Sequence, residues 1–300
     1  VAGLTLALRG RPAGHLPAPY QPFLARRGAD LRLDLTEASP PAPTGELLFD
    51  SGSVWRVHRH GRGLLYTFRA AGLDPSTYKA VAIDRALTRG RLYFPPQRRG
   101  RPPGHALAYP LDELLFQHRL AREGGLEVHA CGLRVHGRLL LFCGPSGAGK
   151  STTARLWRRA LPRVRILSDD RIVLRRREGR VTGWGTPWHG AGGFAWPGAG
   201  RLGALFFLRQ SRTSRARPLS STACAARLFA RSFPPPWDAP GVRRALATCA
   251  AIAAEVPGFE LAFRPDASAV TVALEAMERP GRGGGRIDAL RCAGAADPAR

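Results

Sequence analysis

Lysine is almost absent from this chain. Of its 46 lysines plus arginines, only Lys79 and Lys150 are lysines, which leaves 44 arginines. A sequence that uses arginine wherever a generic cation suffices keeps an ammonium where a slim point charge fits and a planar guanidinium fork does not. Cysteine is also sparse: Cys131, Cys143, Cys224, Cys249 and Cys292 are odd in number, widely spaced and without a C-x-x-C pair. This argues against a disulfide framework or thiolate zinc site and suits buried thiols in a reducing compartment. No run approaches the roughly 18 uninterrupted apolar residues of a membrane-spanning helix. The N-terminus lacks a charged cap followed by an apolar core and cleavage site, so a cytoplasmic protein with no membrane partner is expected. Acidic residues are in deficit, 22 against 46 basic ones, for a formal charge of +24. Such an excess raises nucleic acid as a partner. The arginines, however, are scattered, with only short runs such as Arg98-Arg99-Gly100-Arg101 and Arg175-Arg176-Arg177, and no zinc finger, RNP-type motif or long basic tail accompanies them. A general arginine bias accounts for the charge, and an acidic protein or peptide partner is compatible with it.

What the chain does have is Gly144-Pro145-Ser146-Gly147-Ala148-Gly149-Lys150-Ser151, which fills the phosphate-loop pattern G-x-x-x-x-G-K-[ST]. The apolar run Leu139 to Phe142 enters it as a buried strand would, and a helix-like run from Ser151 to Leu161 leaves it. Glycines let backbone N–H groups turn inward around a polyphosphate, and the following helix presents its positive end to the same oxygens. Gly144 to Thr152 are therefore the expected ATP-binding residues, with Lys150 reaching the phosphates and the Ser151 hydroxyl ligating Mg²⁺. A chance glycine-rich turn is the plain alternative, since 35 of 300 residues are glycine. That one of only two lysines falls at this position speaks against it.

At 44% hydrophobic, 300 residues can build two domains or one large α/β domain. Residues 1 to 104 read as a strand-rich N-terminal region. Leu4 to Leu8 and Leu31 to Leu35 are expected as isolated edge strands or ordered loops, followed by a small antiparallel layer from Leu47 to Phe94. Gln97 to Gly104 is a basic linker. Residues 105 to 278 read as a phosphate-loop domain: a helix over Pro110 to Arg122, strands at 126–129, 133–135 and 139–142, the loop and its helix, and a strand at 164–167. A hairpin about Glu178-Gly179, a glycine-rich loop from Gly185, a strand at 205–208, helices at 220–233 and 242–256, a strand at 259–263 and a helix at 267–277 follow. Residues 279 to 300 read as a disordered tail. Strand, loop, helix and strand form one βαβ unit, so the sheet at the site is expected to be at least partly parallel with a right-handed crossover.

Seventeen residues separate Ser151 from Asp169, room for one helix, a turn and a strand, so Asp169 and Asp170 stand at the tip of the next strand. Carboxylates there can face the loop's serine and a bound metal, one holding Mg²⁺ and the other accepting a proton. A turn-forming Asp pair is the alternative. His189 is as readily a packing residue as a ligand, His58 and His60 suit a solvated β face, and Arg171 could touch phosphate or pair with Asp170. Trp184, Trp188 and Trp196 suit packing around the glycine-rich loop.

The loop, the Asp pair one helix and one strand later, and His129 on the strand layer before the loop together resemble the catalytic domain of HPr kinase/phosphorylase. ATP-dependent phosphoenolpyruvate carboxykinase shares that core more distantly. Pro110 to Leu115, Ser168 to Arg171 and Gly185 to Gly190 are similar to segments of HPr kinase-like proteins from bacterial cassettes that modify peptides. The resemblance implies a mixed-sheet α/β core and transfer of a phosphoryl group from ATP to a serine of a small protein or ribosomally made peptide. It implies that Lys150 and Ser151 contact ATP and Mg²⁺, that Asp169 is the base, that Asp170 is a metal ligand, and that His129 lines the site; the roles of the two Asp residues are interchangeable on the sequence. Homo-oligomerisation is compatible with it. Two departures stand out. The family's downstream Mg²⁺-binding glutamate has no counterpart in Trp188 to Gly192, and the Glu-x-Arg-Gly-Leu-Gly signature of the reverse reaction is absent, so a forward kinase is expected. A small-molecule hydroxyl kinase, an ATP-binding regulator without catalysis and, more remotely, a nucleic-acid-dependent ATPase are the rival readings.

Overall fold

A computed structural model describes residues 1–10, 16–26, 28–70, 74–95, 107 and 109–278. The expected linker at 97–104, the boundary at 104/105, Cys292 and the tail at 279–300 lie outside the described residues.

The N-terminal strands are β1 (Leu6–Arg9), β2 (Leu31–Glu37), β3 (Leu47–Asp50), β4 (Trp55–His60), β5 (Gly63–Ala70), β6 (Asp74–Ile83) and β7 (Arg89–Phe94). They form one sheet in the order β1-β2-β7-β6-β5-β4-β3. Strands β3 to β7 pair antiparallel, as alternation and short turns dictate. The expectation of isolated strands at 4–8 and 31–35 is corrected: β2 pairs parallel with β7, and β1 parallel with β2. The free edge of β7 takes up β2 because that pairing buries Leu31 and Leu33, a contact no sequence window contains.

Helix α1 (Leu111–Arg122) starts after Pro110 and carries Asp112 and Glu113 in its first turn and Arg119 and Arg122 in its last, a charge order that suits the helix dipole. Leu111, Leu114 and Leu115 enter the core of the N-terminal sheet, while Leu120 packs with Val173 of the second sheet. The helix is thus the seam between the two sheets.

The second sheet is built from β8 (Leu126–Val135), β9 (Arg138–Cys143), β10 (Arg165–Ser168), β11 (Arg171–Arg177), β12 (Arg180–Gly185), β13 (Ala199–Gln210), β14 (Arg215–Pro218) and β15 (Gly258–Phe263). The two short strands expected at 126–135 are one continuous β8. Strands β9, β13 and β15 run parallel, and β8 lies antiparallel between β9 and β10. The β9–α2–β10 connection, with α2 at Lys150–Ala160, therefore crosses over one intervening strand. Pairing also runs in a closed path from β8 to β11, β12, β13, β9 and back to β8.

The runs Leu139 to Phe142 and Leu205 to Leu208 are apolar without alternation because both faces of the sheet are covered. Leu139, Leu141 and Leu205 pack with residues of α3 (Ser221–Phe229) and α4 (Ala239–Glu255). Leu140, Phe142 and Phe206 pack with Trp157 of α2 and Val270 and Ala273 of α5 (Ser268–Glu278). The helix expected over 220–233 stops at Phe229, and the run Pro234-Pro235-Pro236 disfavours helical backbone at Phe233. Residues 231–233 lie instead along β8, with His129 N donating to Arg231 O and Phe233 N to Glu127 O. The four described cysteines, Cys131, Cys143, Cys224 and Cys249, are buried and unbridged. No helix among the described residues is long and apolar enough to cross a membrane.

Candidate active site

The glycine loop leaves β9 at Gly144 and enters α2 at Lys150. Its backbone is left-handed at Gly147 (φ 77°) and Gly149 (φ 103°), which L side chains resist. No side chain caps α2, so the positive end of the helix is presented to the loop's concavity. Lys150 Nζ donates to Gly144 O at 3.1 Å and Pro145 O at 3.0 Å and lies 3.8 Å from Asp170 Oδ1. Burial lowers its pKa, with Asp170 opposing. Gln210 at the end of β13 steadies the loop by donating to Gly147 O at 2.8 Å.

Strand β10 ends on Ser168, whose buried hydroxyl accepts from Asp170 N and Arg171 N, each at 3.2 Å. That turn sends the two acids to different partners. Asp169, 1% exposed, accepts from Ser151 Oγ at 2.7 Å, Gly190 N at 3.0 Å and Gly192 N at 2.7 Å. Asp170 Oδ1 is 2.8 Å from His129 Nε2, and Asp170 Oδ2 pairs with Arg171. Burial pushes the Asp170 carboxyl up, but the His129 hydrogen bond and the Arg171 charge outweigh it and hold the carboxyl below the usual range.

The β8–β11 register sets His129 directly opposite Arg171, and period-2 alternation puts Glu127 on the same face. Arg171 Nε donates to Glu113 Oε1 at 2.7 Å and stands 3.3 Å from Glu127 Oε1, while the Phe233 ring covers its guanidinium at 4.5 Å. Burial, and next the neighbouring Glu113, drive the pKa of Glu127 well up. Asp112 Oδ2 accepts from Trp188 Nε1 at 2.8 Å and Tyr20 Oη at 2.7 Å.

The structure brings Lys150, Ser151, Asp169, Asp170 and His129 together around the glycine loop. His189 is exposed, its Nδ1 2.9 Å from Gly190 O, and among the described residues no cluster of three or more His, Cys, Asp or Glu could hold a metal ion. Trp188 is buried and Trp196 is 45% exposed. Sequence reasoning missed Asp112, Glu113, Glu127, Gly190, Gly192 and Phe233. The available signal was a glutamate at 127 between the apolar Leu126 and Val128 of β8, since a buried charge needs a partner.

Fold and site together define a mixed α/β protein of two mixed sheets in which a glycine loop faces an Asp pair. Among solved structures, the chain is similar to the Hpr(Ser) kinase/phosphatase from Coxiella burnetii, at 13% identity and a TM-score of 0.31, over 50% of this chain and 95% of that one. A likeness that distant carries no functional argument. No protein-family model and no curated protein matches the chain.

Proposed function

We propose that the protein is an ATP- and Mg²⁺-dependent kinase that phosphorylates a serine hydroxyl of a small protein or ribosomally made peptide. The observation that carries this reading is that both carboxylates of the Asp pair meet the glycine loop, Asp169 through Ser151 and Asp170 beside Lys150. The left-handed glycines, the uncapped helix end and the ammonium inside the loop fit a polyphosphate. Bound there, Mg·ATP would supply the phosphoryl group and neutralise charge during transfer.

Lys150 would hold phosphate oxygens, and Ser151, backed by Asp169, the cation. Asp169 already accepts from Ser151 Oγ and from the Gly190 and Gly192 amides, so its oxygens are directed to the loop serine and the glycine-rich segment. Asp170 lies beside Lys150 with an oxygen on His129, and we assign it the proton of the acceptor hydroxyl, with His129 orienting it. This reverses the division that the resemblance implies, in which Asp169 is the base and Asp170 the metal ligand. Serine as acceptor, and a forward reaction without efficient reversal, rest on the motif resemblance.

The test is purified protein with γ-labelled ATP, Mg²⁺ and serine peptides. Label on peptide serine, lost in Lys150→Met, supports the proposal; label on a metabolite points to a small-molecule kinase. A second reading is an ATP-binding regulator: among the described residues no group of three or more His, Cys, Asp or Glu could hold a metal ion. Binding without transfer would select it.

A further inference from the structure

Asp112 and Glu113 are adjacent acids in the first turn of α1, 2% and 3% exposed, and the mechanism above uses neither. Burying two carboxylates is unfavourable unless each is held by good partners. Their partners lead to the two site acids by separate routes. Asp112 holds the Trp188 indole, and the Trp188 carbonyl accepts from Ser168 Oγ and Thr186 Oγ1. Two and four residues further on, the Gly190 and Gly192 amides donate to Asp169. Glu113 holds Arg171 Nε at 2.7 Å, and Arg171 Nη1 grips Asp170 Oδ2. Tyr20, in a turn of the N-terminal region, completes the Asp112 contacts.

We propose that Asp112 and Glu113 are positioning residues, Asp112 setting Asp169 through Trp188 and its loop, and Glu113 setting Asp170 through Arg171. The kinetic part rests on the kinase reading; the geometric part does not. If α1 merely docked on the sheet, changing these acids would alter stability alone. If it positions the site, the loss falls on the chemical step.

The experiment compares Glu113→Gln, Glu113→Asp, Arg171→Lys and Asp112→Asn by steady-state transfer, ¹⁵N-histidine NMR and amide exchange. The His129 signals are assigned with His129→Asn. Glu113→Gln is expected to lower kcat at least tenfold with KM for ATP within twofold. Glu113→Asp recovers part of the loss, and adding Arg171→Lys to Glu113→Gln lowers kcat no further than Arg171→Lys alone, because both act on one contact. The His129 imidazole signals move in Glu113→Gln, and the Gly190 and Gly192 amides exchange faster in Asp112→Asn. An unchanged kcat, a loss carried wholly by KM, or additive effects of Glu113→Gln and Arg171→Lys overturns the kinetic part. Unmoved His129 signals or unchanged glycine exchange overturns the positioning itself, and both remain readable if the wild-type protein transfers no phosphoryl group, a result that would sink the kinase reading alone. Should Glu113→Gln fail to fold, Glu113→Asp carries the same comparisons.

Discussion

A methyl group added at Gly192 would overlap Asp169 Oδ2, and the amide of the same residue is one of the donors that hold that oxygen. Gly192→Ala is therefore expected to push Asp169 off Ser151, lowering transfer about 10²-fold and stability by roughly 1–3 kcal/mol; activity assays and urea unfolding check the two parts separately. At Lys150 the chemistry of the head group decides. Its ammonium sits between two loop carbonyls at 3.0 and 3.1 Å, a space for a point charge rather than a fork. Lys150→Arg should lose transfer nearly as fully as Lys150→Met, by about 10²–10³, measured as label on peptide. The scarcity of lysine made this residue legible in the sequence. Nothing local marked Gly192, because its role depends on an acid 23 residues away in the chain.

At the scale of elements, α2 holds the glycine loop against the sheet through Trp157, 1% exposed, its ring centroid 5.6 Å from that of Phe142 of β9 with the planes tilted by 57°. Trp157→Ala removes that anchor and is expected to cost about 3–5 kcal/mol, read as a lower urea midpoint. Strand, loop and helix were legible here because apolar runs, glycine spacing and helical period are properties of neighbouring residues. The end of α3 was less so. Ser220 caps its start by accepting from Ala223 N at 3.2 Å, but the helix ends at Phe229 and the chain then runs along β8, which brings Phe233 onto Arg171 and His129. A prediction of helix through 233 misses a residue of the site wall.

Across the whole molecule, α1 ties the N-terminal sheet to the site through two buried titratable groups of opposite pH sense. His118 lies 2.6 Å from Tyr66 Oη and 3.4 Å from Asp238, with Arg122 and the Trp237 ring beside it. Burial depresses its pKa, so folding favours the neutral ring; its contribution is present above about pH 6.5 and is lost as pH falls. Asp112 faces Tyr20, Trp188 and Glu113, with the Lys79 charge nearby, and burial pushes it up to about 6. Its contribution is therefore present below about pH 3.9 and is lost as pH rises through 6. Between pH 6.5 and 5 the two oppose each other. Asp112→Asn should make Tm fall more steeply with acid than the wild type, and thermal melts across that range check it; an equal or shallower slope refutes it.

The sequence by itself determined the loop, its lysine and serine, the Asp pair one strand later, and most strands and helices, because these follow from side chains close together in the chain. Only the tertiary structure decided that β2 pairs parallel with β7, that β8 runs unbroken between β9 and β10, and that Asp169 faces Ser151 while Asp170 faces His129. It also decided the partners of Asp112 and Glu113, which lie 76 and 58 residues away at Trp188 and Arg171. A buried charge takes its partner from whichever backbone packing carries beside it, and that neighbour is chosen by the burial of whole apolar faces, which no local spacing encodes.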